Sequence, residues 1–192
     1  MSVAIIDYGA GNIQSIRFAL ERLGVSSTLS SDPETIQSAS HVIFPGVGEA
    51  SSAMAKLKST NLYKLIPELT QPVLGICLGM QLMCNSTEEG NTTALGIFDT
   101  EVVRFSTSRN VPHMGWNEVK GGGVLFEKIP NDSHFYLVHS YYAVPNINTV
   151  GHCLYDINFA AAMAKNNFYG TQFHPEKSGA MGAQLLQNFL SL

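Results

Sequence analysis

Only three of the 192 residues are cysteine, an odd number with no CxxC pair among them. That pattern builds neither a disulfide framework nor a thiolate zinc site, and it suits a reducing compartment such as the cytosol. Charge is scarce as well: Asp, Glu, Lys and Arg make up 14% of the chain, against a typical ~25%. The net charge is −4 and there is no basic run, which argues against a nucleic-acid partner. Long apolar runs are missing, none approaching the ~20 residues of a membrane span. The opening MSVAIIDYGAGN has no basic leader and no small-residue cleavage site, so no signal peptide and no membrane association are expected. No Pro/Ser-rich linker, repeat or low-complexity tract intervenes. One domain over 1–192 is expected, long enough to bury about 70% of its unfolded surface.

What is present is ordered by alternation. VAIIDY reads as a core strand, and Asn12 to Leu23 places Ile13, Ile16, Leu20 and Leu23 at helical spacing before Gly24, a C-cap candidate. A short strand near Ser27–Leu29, a proline-started turn at Pro33 and the strand HVIF at 41–44 follow. PGVG then leads into a helix through Met54 and Leu57, and PVLGI into a helix over about 78–85. This βαβα order predicts an α/β fold, a parallel sheet with helices on both faces. The second half changes to short strand-like pieces: TEVVRF, GWNEVK, HFYLVHSYYAV, VGHCLY, AAMAKNN and FYGTQFH. Turns such as GGG at 121–123 and NDS at 131–133 separate them, and a helix over 181–190 closes the chain. These pieces read as mixed or antiparallel additions to the same sheet.

Ligands of open parallel sheets sit at the carboxyl ends of strands. Here those ends carry Asp7-Tyr8-Gly9, Pro45-Gly46-Val47-Gly48 and Cys77. Gly75-Ile76-Cys77-Leu78-Gly79 parallels the G-x-S-x-G elbow, in which small flanking residues permit a sharp strand-to-helix turn beneath a nucleophile. A helix N-terminus aimed at the sulfur favours thiolate over thiol. By itself the stretch fits a packed thiol equally well, as cysteine is among the most buried residue types. Cys84 and Cys153 have no elbow and read as core. A thiol nucleophile needs a base with an orienting group. Phe173-His174-Pro175-Glu176-Lys177 offers both: in an extended segment His174 and Glu176 share a face. His41, His134 and His152 have no comparable company. The glycines of PGVG can bring backbone N–H groups close to a ligand. With the Leu78 N–H, the Val47 N–H would form an oxyanion hole, each such donor being worth roughly 3 kcal/mol in a transition state.

In order and content, PGVG, GICLGMQLM and FHPEKS resemble the three signature regions of class I (triad) glutamine amidotransferases. DYGAGN, STEEG, PHMGWN at 112–117 and VHSYY at 138–142 narrow the resemblance to the glutaminase subunits of imidazole glycerol phosphate synthases. It runs from residue 3 to the final helix. It implies a single-domain flavodoxin-like fold with added antiparallel strands, and no metal or cofactor. By this resemblance Cys77 attacks the side-chain amide of glutamine, His174 shuttles protons, Glu176 orients the imidazole, and water hydrolyses the thioester. Glutamine would be held by Gly48, Gln81, Glu89, Ser140 and Tyr141. The partner implied is a (β/α)8-barrel cyclase, joined as a heterodimer that receives the ammonia. Asn12, His113, Met114, Trp116, Tyr136 and Lys177 match interface positions of that family. The lone Trp116 suits an interface anchor, with a satellite core position as the alternative, and Lys177 also suits solvent.

Two other functions stay in view. One is a glutaminase serving another pathway, such as pyridoxal phosphate synthesis, or a γ-glutamyl hydrolase, against which PHMGWN and DYGAGN speak. The other is a catalytically silent amidotransferase-like interaction module, against which the intact Cys77, His174 and Glu176 speak.

Overall fold

Each short apolar run of the first half becomes a strand buried on both faces. The computed structural model describes residues 1–9 and 11–192, so Ala10 of the DYGAGN segment lies outside the described residues. In chain order the elements are β1 (Val3–Ile6), α1 (Ile13–Arg22), β2 (Ser27–Ser30), α2 (Pro33–Ser38), β3 (His41–Phe44), α3 (Ala50–Ser59), α4 (Leu62–Leu65), β4 (Val73–Ile76) and α5 (Leu78–Leu82). Then come β5 (Ser86–Thr87), β6 (Thr92–Thr93), β7 (Glu101–Arg104), β8 (His113–Gly121), β9 (His134–His139), β10 (Tyr141–Ala143), β11 (Thr149–Tyr155), β12 (Ile157–Lys165), β13 (Phe168–Thr171) and α6 (Gly179–Leu190).

The main sheet runs β2-β1-β3-β4-β13-β12-β10-β7-β5-β6, with β11, β8 and β9 branching from β12. β2, β1, β3, β4 and β13 are parallel; β12 turns the sheet antiparallel and the added strands follow it, except that β5 pairs with β7 in parallel. Alternation along the strands divides the core. Val3, Ile5, Ile43, Leu74 and Ile76 face α1 and α6, whereas Ala4, Ile6, Val42, Phe44 and Val73 face α2, α3 and α4. Burying such an aliphatic side chain contributes roughly 1.5–3 kcal/mol. Two-sided burial therefore holds four-residue strands that would be marginal at an edge. Among the described residues, no helix is long and apolar enough to cross a membrane.

Local chemistry sets most boundaries. Gly24 takes φ +76 after α1, and the Gly24 and Val25 N–H groups donate to the Glu21 and Leu20 carbonyls, a Schellman closure. Asp32 caps α2 through the Thr35 N–H, with Pro33 at the first helical position. Glu49 caps α3 by accepting from Ser51 and Ser52. Helix α5 is shorter than the sequence suggests, ending at Leu82 rather than near Asn85. Its last turns are occupied from outside: the carbonyls of Leu82, Met83 and Cys84 accept N–H groups from Leu95, Ile97, Phe98 and Gly96. HFYLVHSYYAV is broken at Ser140 into β9 and β10, and AAMAKNN supplies the end of the longer β12, with Asn166 and Asn167 in the turn that follows.

Candidate active site

The elbow between β4 and α5 exists because three glycines let backbones touch. A Cβ on Gly79 would run into the Phe44 carbonyl oxygen, one on Gly46 into the Gly79 nitrogen, and one on Gly75 would stand 2.8 Å from the Met80 nitrogen. The end of β3 therefore presses directly on the turn. Cys77 takes φ +54 and ψ −110, strained for a residue with a side chain and costing on the order of 1–3 kcal/mol. Its N–H donates to the Thr171 carbonyl at 2.7 Å, tying the turn to β13. Tyr8, at the end of β1, donates its hydroxyl to the Pro45 carbonyl at 2.8 Å and so anchors the glycine loop. Burial, with negative charge at Cys77 adding to it, pushes the Tyr8 phenol well above its usual range and keeps it a donor.

β13 is the parallel neighbour of β4, so the segment that follows it arrives beside Cys77. His174 Nδ1 lies 2.8 Å from Glu176 Oε1, with the two side chains only 3% and 1% exposed. The sequence reading pairs these residues correctly but on the wrong backbone. Pro175–Lys177 is a 3₁₀ turn rather than an extended segment. Pro175 starts it because its fixed φ is preorganised there and its missing N–H costs nothing at a first position. His174 Nε2 is buried and has no hydrogen-bond partner of good geometry among the described residues, although the Cys77 sulfur shares its cavity. Such bonds commonly tighten only when a ligand is bound. Burial alone would depress the His174 imidazole; an anionic Cys77 and the Glu176 carboxylate outweigh it and raise it to about 10. With Glu176 at Nδ1, an imidazolium at His174 is the state this arrangement favours.

The cavity at this point measures about 310 Å³, within the range of small-molecule sites. It is lined by Cys77 and His174 together with Val47, Gly48, Leu78, Gln81, Glu89, Ser140 and Tyr141. Every candidate for the oxyanion hole and for substrate binding thus faces one space, and Glu176 stands behind His174. Glu89 Oε2 accepts from the Ala50 N–H at 2.9 Å. Burial, and then Glu49 nearby, push its carboxyl up from the usual range, so a cationic ligand group would relieve it. Cys84 and Cys153 are buried in the two cores, and burial pushes both thiols up to about 12.

Several residues at or behind the cavity escape a reading of the sequence. Pro112, Val138 and His139 also line it. His139 stands in the VHSYY segment but has no motif partner nearby; its Nδ1 lies 2.8 Å from the Tyr141 carbonyl and its Nε2 3.1 Å from His113 Nδ1. Burial pushes His139 down to about 3 and His113 down to about 4, so both are neutral. The Tyr141 carbonyl only accepts, so His139 donates to it and accepts from His113. Gln172, two residues before His174, joins Gln81 to Cys77. Ser178 donates to the His174 carbonyl at 2.6 Å and accepts the Tyr136 N–H at 3.0 Å. Position i−2 from a candidate base was the available signal for Gln172; nothing local marked Ser178.

The residues expected at a partner interface separate into two groups. Met114 and Trp116 are 63% and 55% exposed, and Trp116 stacks edge-on against Tyr136 with centroids 6.2 Å apart. Lys177 Nζ lies 5.8 Å from the Tyr136 ring centre. Asn12 precedes α1, which packs against the turn bearing Glu176 and Lys177. His113 does not join this surface. It is 3% exposed, and its ring stacks on Tyr155 at 3.9 Å. Side chains alternate along β8, so the face presenting Met114 and Trp116 turns His113 inward.

A strained cysteine at a strand-to-helix elbow, a buried His–Glu pair just past the neighbouring parallel strand and a glycine loop across the cavity form the arrangement that thiol-dependent hydrolysis on a doubly wound sheet calls for. The model of the class I glutamine amidotransferases matches residues 4–192, and the chain belongs to that family. Among its relatives is the "Imidazole glycerol phosphate synthase subunit HisH" of Bacteroides fragilis (strain YCH46), 52% identical over the whole of both chains. The protein of the same name from Haemophilus influenzae (strain Rd) is 48% identical over 99% of this chain and 97% of its own. Among solved structures, a putative GMP synthase component from Thermoplasma acidophilum superposes with a TM-score of 0.78 at 20% identity, covering 100% of this chain and 92% of that one. PurLQS of Thermotoga maritima gives 0.74 at 17% identity, covering 99% and 97%. At such identities the structures establish a shared fold, the single-domain amidotransferase fold with its mostly parallel sheet.

Proposed function

We propose that this chain, acting as one domain over 1–192, is the glutaminase subunit of an imidazole glycerol phosphate synthase in histidine biosynthesis. The observation that carries the proposal is the cavity in which Cys77 and His174 meet Val47, Gly48, Leu78, Gln81, Glu89, Ser140 and Tyr141. In this reading the Cys77 thiolate attacks the carboxamide carbon of glutamine. The N–H groups of Val47 and Leu78 hold the oxyanion while imidazolium His174 gives its proton to the departing amine. Neutral His174 then takes a proton from water, which attacks the glutamyl thioester and returns Cys77 and glutamate. Glu176, bonded to Nδ1, keeps Nε2 aimed at the reaction and stabilises the imidazolium between the two steps. Glu89 suits the α-ammonium of glutamine, and Ser140, Gly48 and the Tyr141 backbone suit its α-carboxylate.

Free ammonia would be protonated and lost in bulk water, so the product calls for a sheltered acceptor. That acceptor is a (β/α)8-barrel cyclase bound as a heterodimer in the cytosol, docking on Met114, Trp116, Tyr136, Lys177 and Asn12. It would convert a phosphorylated ribulosyl intermediate into imidazole glycerol phosphate and an aminoimidazole carboxamide ribotide. The test pairs this chain with such a cyclase. Cys77→Ala should abolish synthesis from glutamine and spare synthesis from ammonium salt. Loss of both activities, or glutamate release that ignores the cyclase and its ligand, would refute the division of labour.

A further inference from the structure

We infer that Gln172 is a catalytic side chain of this centre: its amide N–H stabilises the Cys77 thiolate, while its carbonyl fixes Gln81. The inference rests on the reading of Cys77 as nucleophile and adds a group to it.

Gln172 is fully buried just past the end of β13, its backbone N–H donating to the Ala161 carbonyl at 2.8 Å. The orientation of its side-chain amide follows from its neighbours. The Tyr141 main-chain carbonyl can only accept, and a terminal atom of Gln81 lies 2.9 Å from it, so that atom is the Gln81 amide nitrogen. The same nitrogen lies 2.9 Å from one terminal atom of Gln172, which must then be the oxygen. The remaining atom, 3.7 Å from Cys77 Sγ, is therefore an NH₂ group. A main-chain carbonyl thus sets two amides in series and leaves a donor against the sulfur. Flipping Gln172 would break its bond with Gln81 and set an oxygen against the anion.

A donor in that place distinguishes the ionised sulfur from the neutral thiol, since bonds to charged acceptors are about twice as strong as neutral ones. The contact is buried, where its effect is not diluted by water. His174 must give up its proton during the reaction, whereas the amide stays a donor throughout. The sulfur therefore keeps one fixed partner, both on attack and when it departs from the thioester. The same geometry commits both Gln81 N–H groups internally and leaves its Oε1 as the atom available to a ligand.

The experiment measures iodoacetamide alkylation of Cys77 in the full-length chain from pH 6 to pH 10, read peptide by peptide by mass spectrometry. Buried Cys84 and Cys153 report whether a variant remains folded. Gln172→Met should slow Cys77 alkylation about 10-fold at pH 7, the loss expected for one hydrogen bond to a charged group. The gap should close by pH 10, where ionisation no longer limits the rate. Gln172→Glu keeps an acceptor for Gln81 but turns an oxygen toward the sulfur, and should be slower than Gln172→Met at pH 7. If Gln172→Met exposes Cys84 or Cys153, the comparison passes to Gln172→Glu against the parent. Parent-like rates in the folded variants, or a deficit that persists at pH 10, would overturn the role of Gln172. A parent Cys77 no faster at pH 7 than N-acetylcysteine would instead overturn the reading of Cys77 itself.

Discussion

Ser178→Ala isolates the clasp that holds His174. The Ser178 hydroxyl donates to the His174 carbonyl at 2.6 Å and accepts the Tyr136 N–H at 3.0 Å, so it binds the loop after β13 to β9. One further tie survives the substitution, the His174 N–H donating to the Tyr136 carbonyl at 2.9 Å. Each lost hydrogen bond contributes about 1 kcal/mol, and the half-buried Tyr136 N–H left without a partner adds about 1 more. The variant should therefore be about 2–3 kcal/mol less stable. For a chain of this size that is a fall in melting temperature of about 4–12 °C. No atom of Ser178 lines the cavity, yet displacement of His174 by a fraction of an ångström should lower glutamine turnover about 10-fold, with little change in KM. Urea unfolding and steady-state kinetics on the same preparations provide both numbers. A stability loss under about 0.5 kcal/mol would refute the assignment of the clasp. Normal turnover in a clearly destabilised variant would show that the surviving bond positions His174 unaided.

Gly79→Ala should be far more damaging than its gain in helix propensity suggests, because the new methyl meets the Phe44 carbonyl oxygen. A loss of about 3 kcal/mol or more is expected from overpacking against backbone, whereas Gly122→Ala, which meets open space, should stay within about 0.5 kcal/mol of the parent; equal effects in chemical denaturation would refute the close approach. His139 links stability to acid. Its folded-state value, about 3, lies below the unfolded value of 6.5, so the unfolded chain binds the extra proton between them. Its contribution is fully present above pH 6.5 and is lost as pH falls, costing about 2 kcal/mol between pH 7 and pH 5. His113, pushed down to about 4, acts in the same direction over a shorter window. His174, raised to about 10, acts oppositely: its stabilisation is complete below pH 6.5 and is lost as pH rises through 10. Urea midpoints should fall from pH 7 to pH 5, and less steeply in His139→Gln; parallel slopes would refute the link.

What could be read in the sequence was local. β1, β3 and β4 are short apolar runs closed by turns, and both their positions and their parallel arrangement follow from the alternation with helices. Cys77, His174 and Glu176 could be picked out because residue type, glycine flanks and close spacing are themselves sequence properties. The end of α5 could not, since donors from 95–98 decide it. Gln172 finds its partner Gln81 across 91 residues and Ser178 meets Tyr136 across 42, distances at which no periodicity survives. His113 is different, because the error was avoidable. Once GWNEVK is read as a strand that extends back through Met114, alternation already excludes His113 from the face of Trp116.

The position of β13 has a consequence for how the protein is made. It is the last strand in sequence but lies inside the sheet, between β4 and β12. Until Phe168–Thr171 is inserted, the growing chain has a slot where its sheet should be continuous, and residues 1–167 contain Cys77 without Gln172 or His174. Closing the slot joins two partial sheets and brings the segment bearing Gln172 and His174 up to Cys77. A nascent chain therefore cannot set Gln172 and His174 beside Cys77 until the segment that follows β13 has been made and packed.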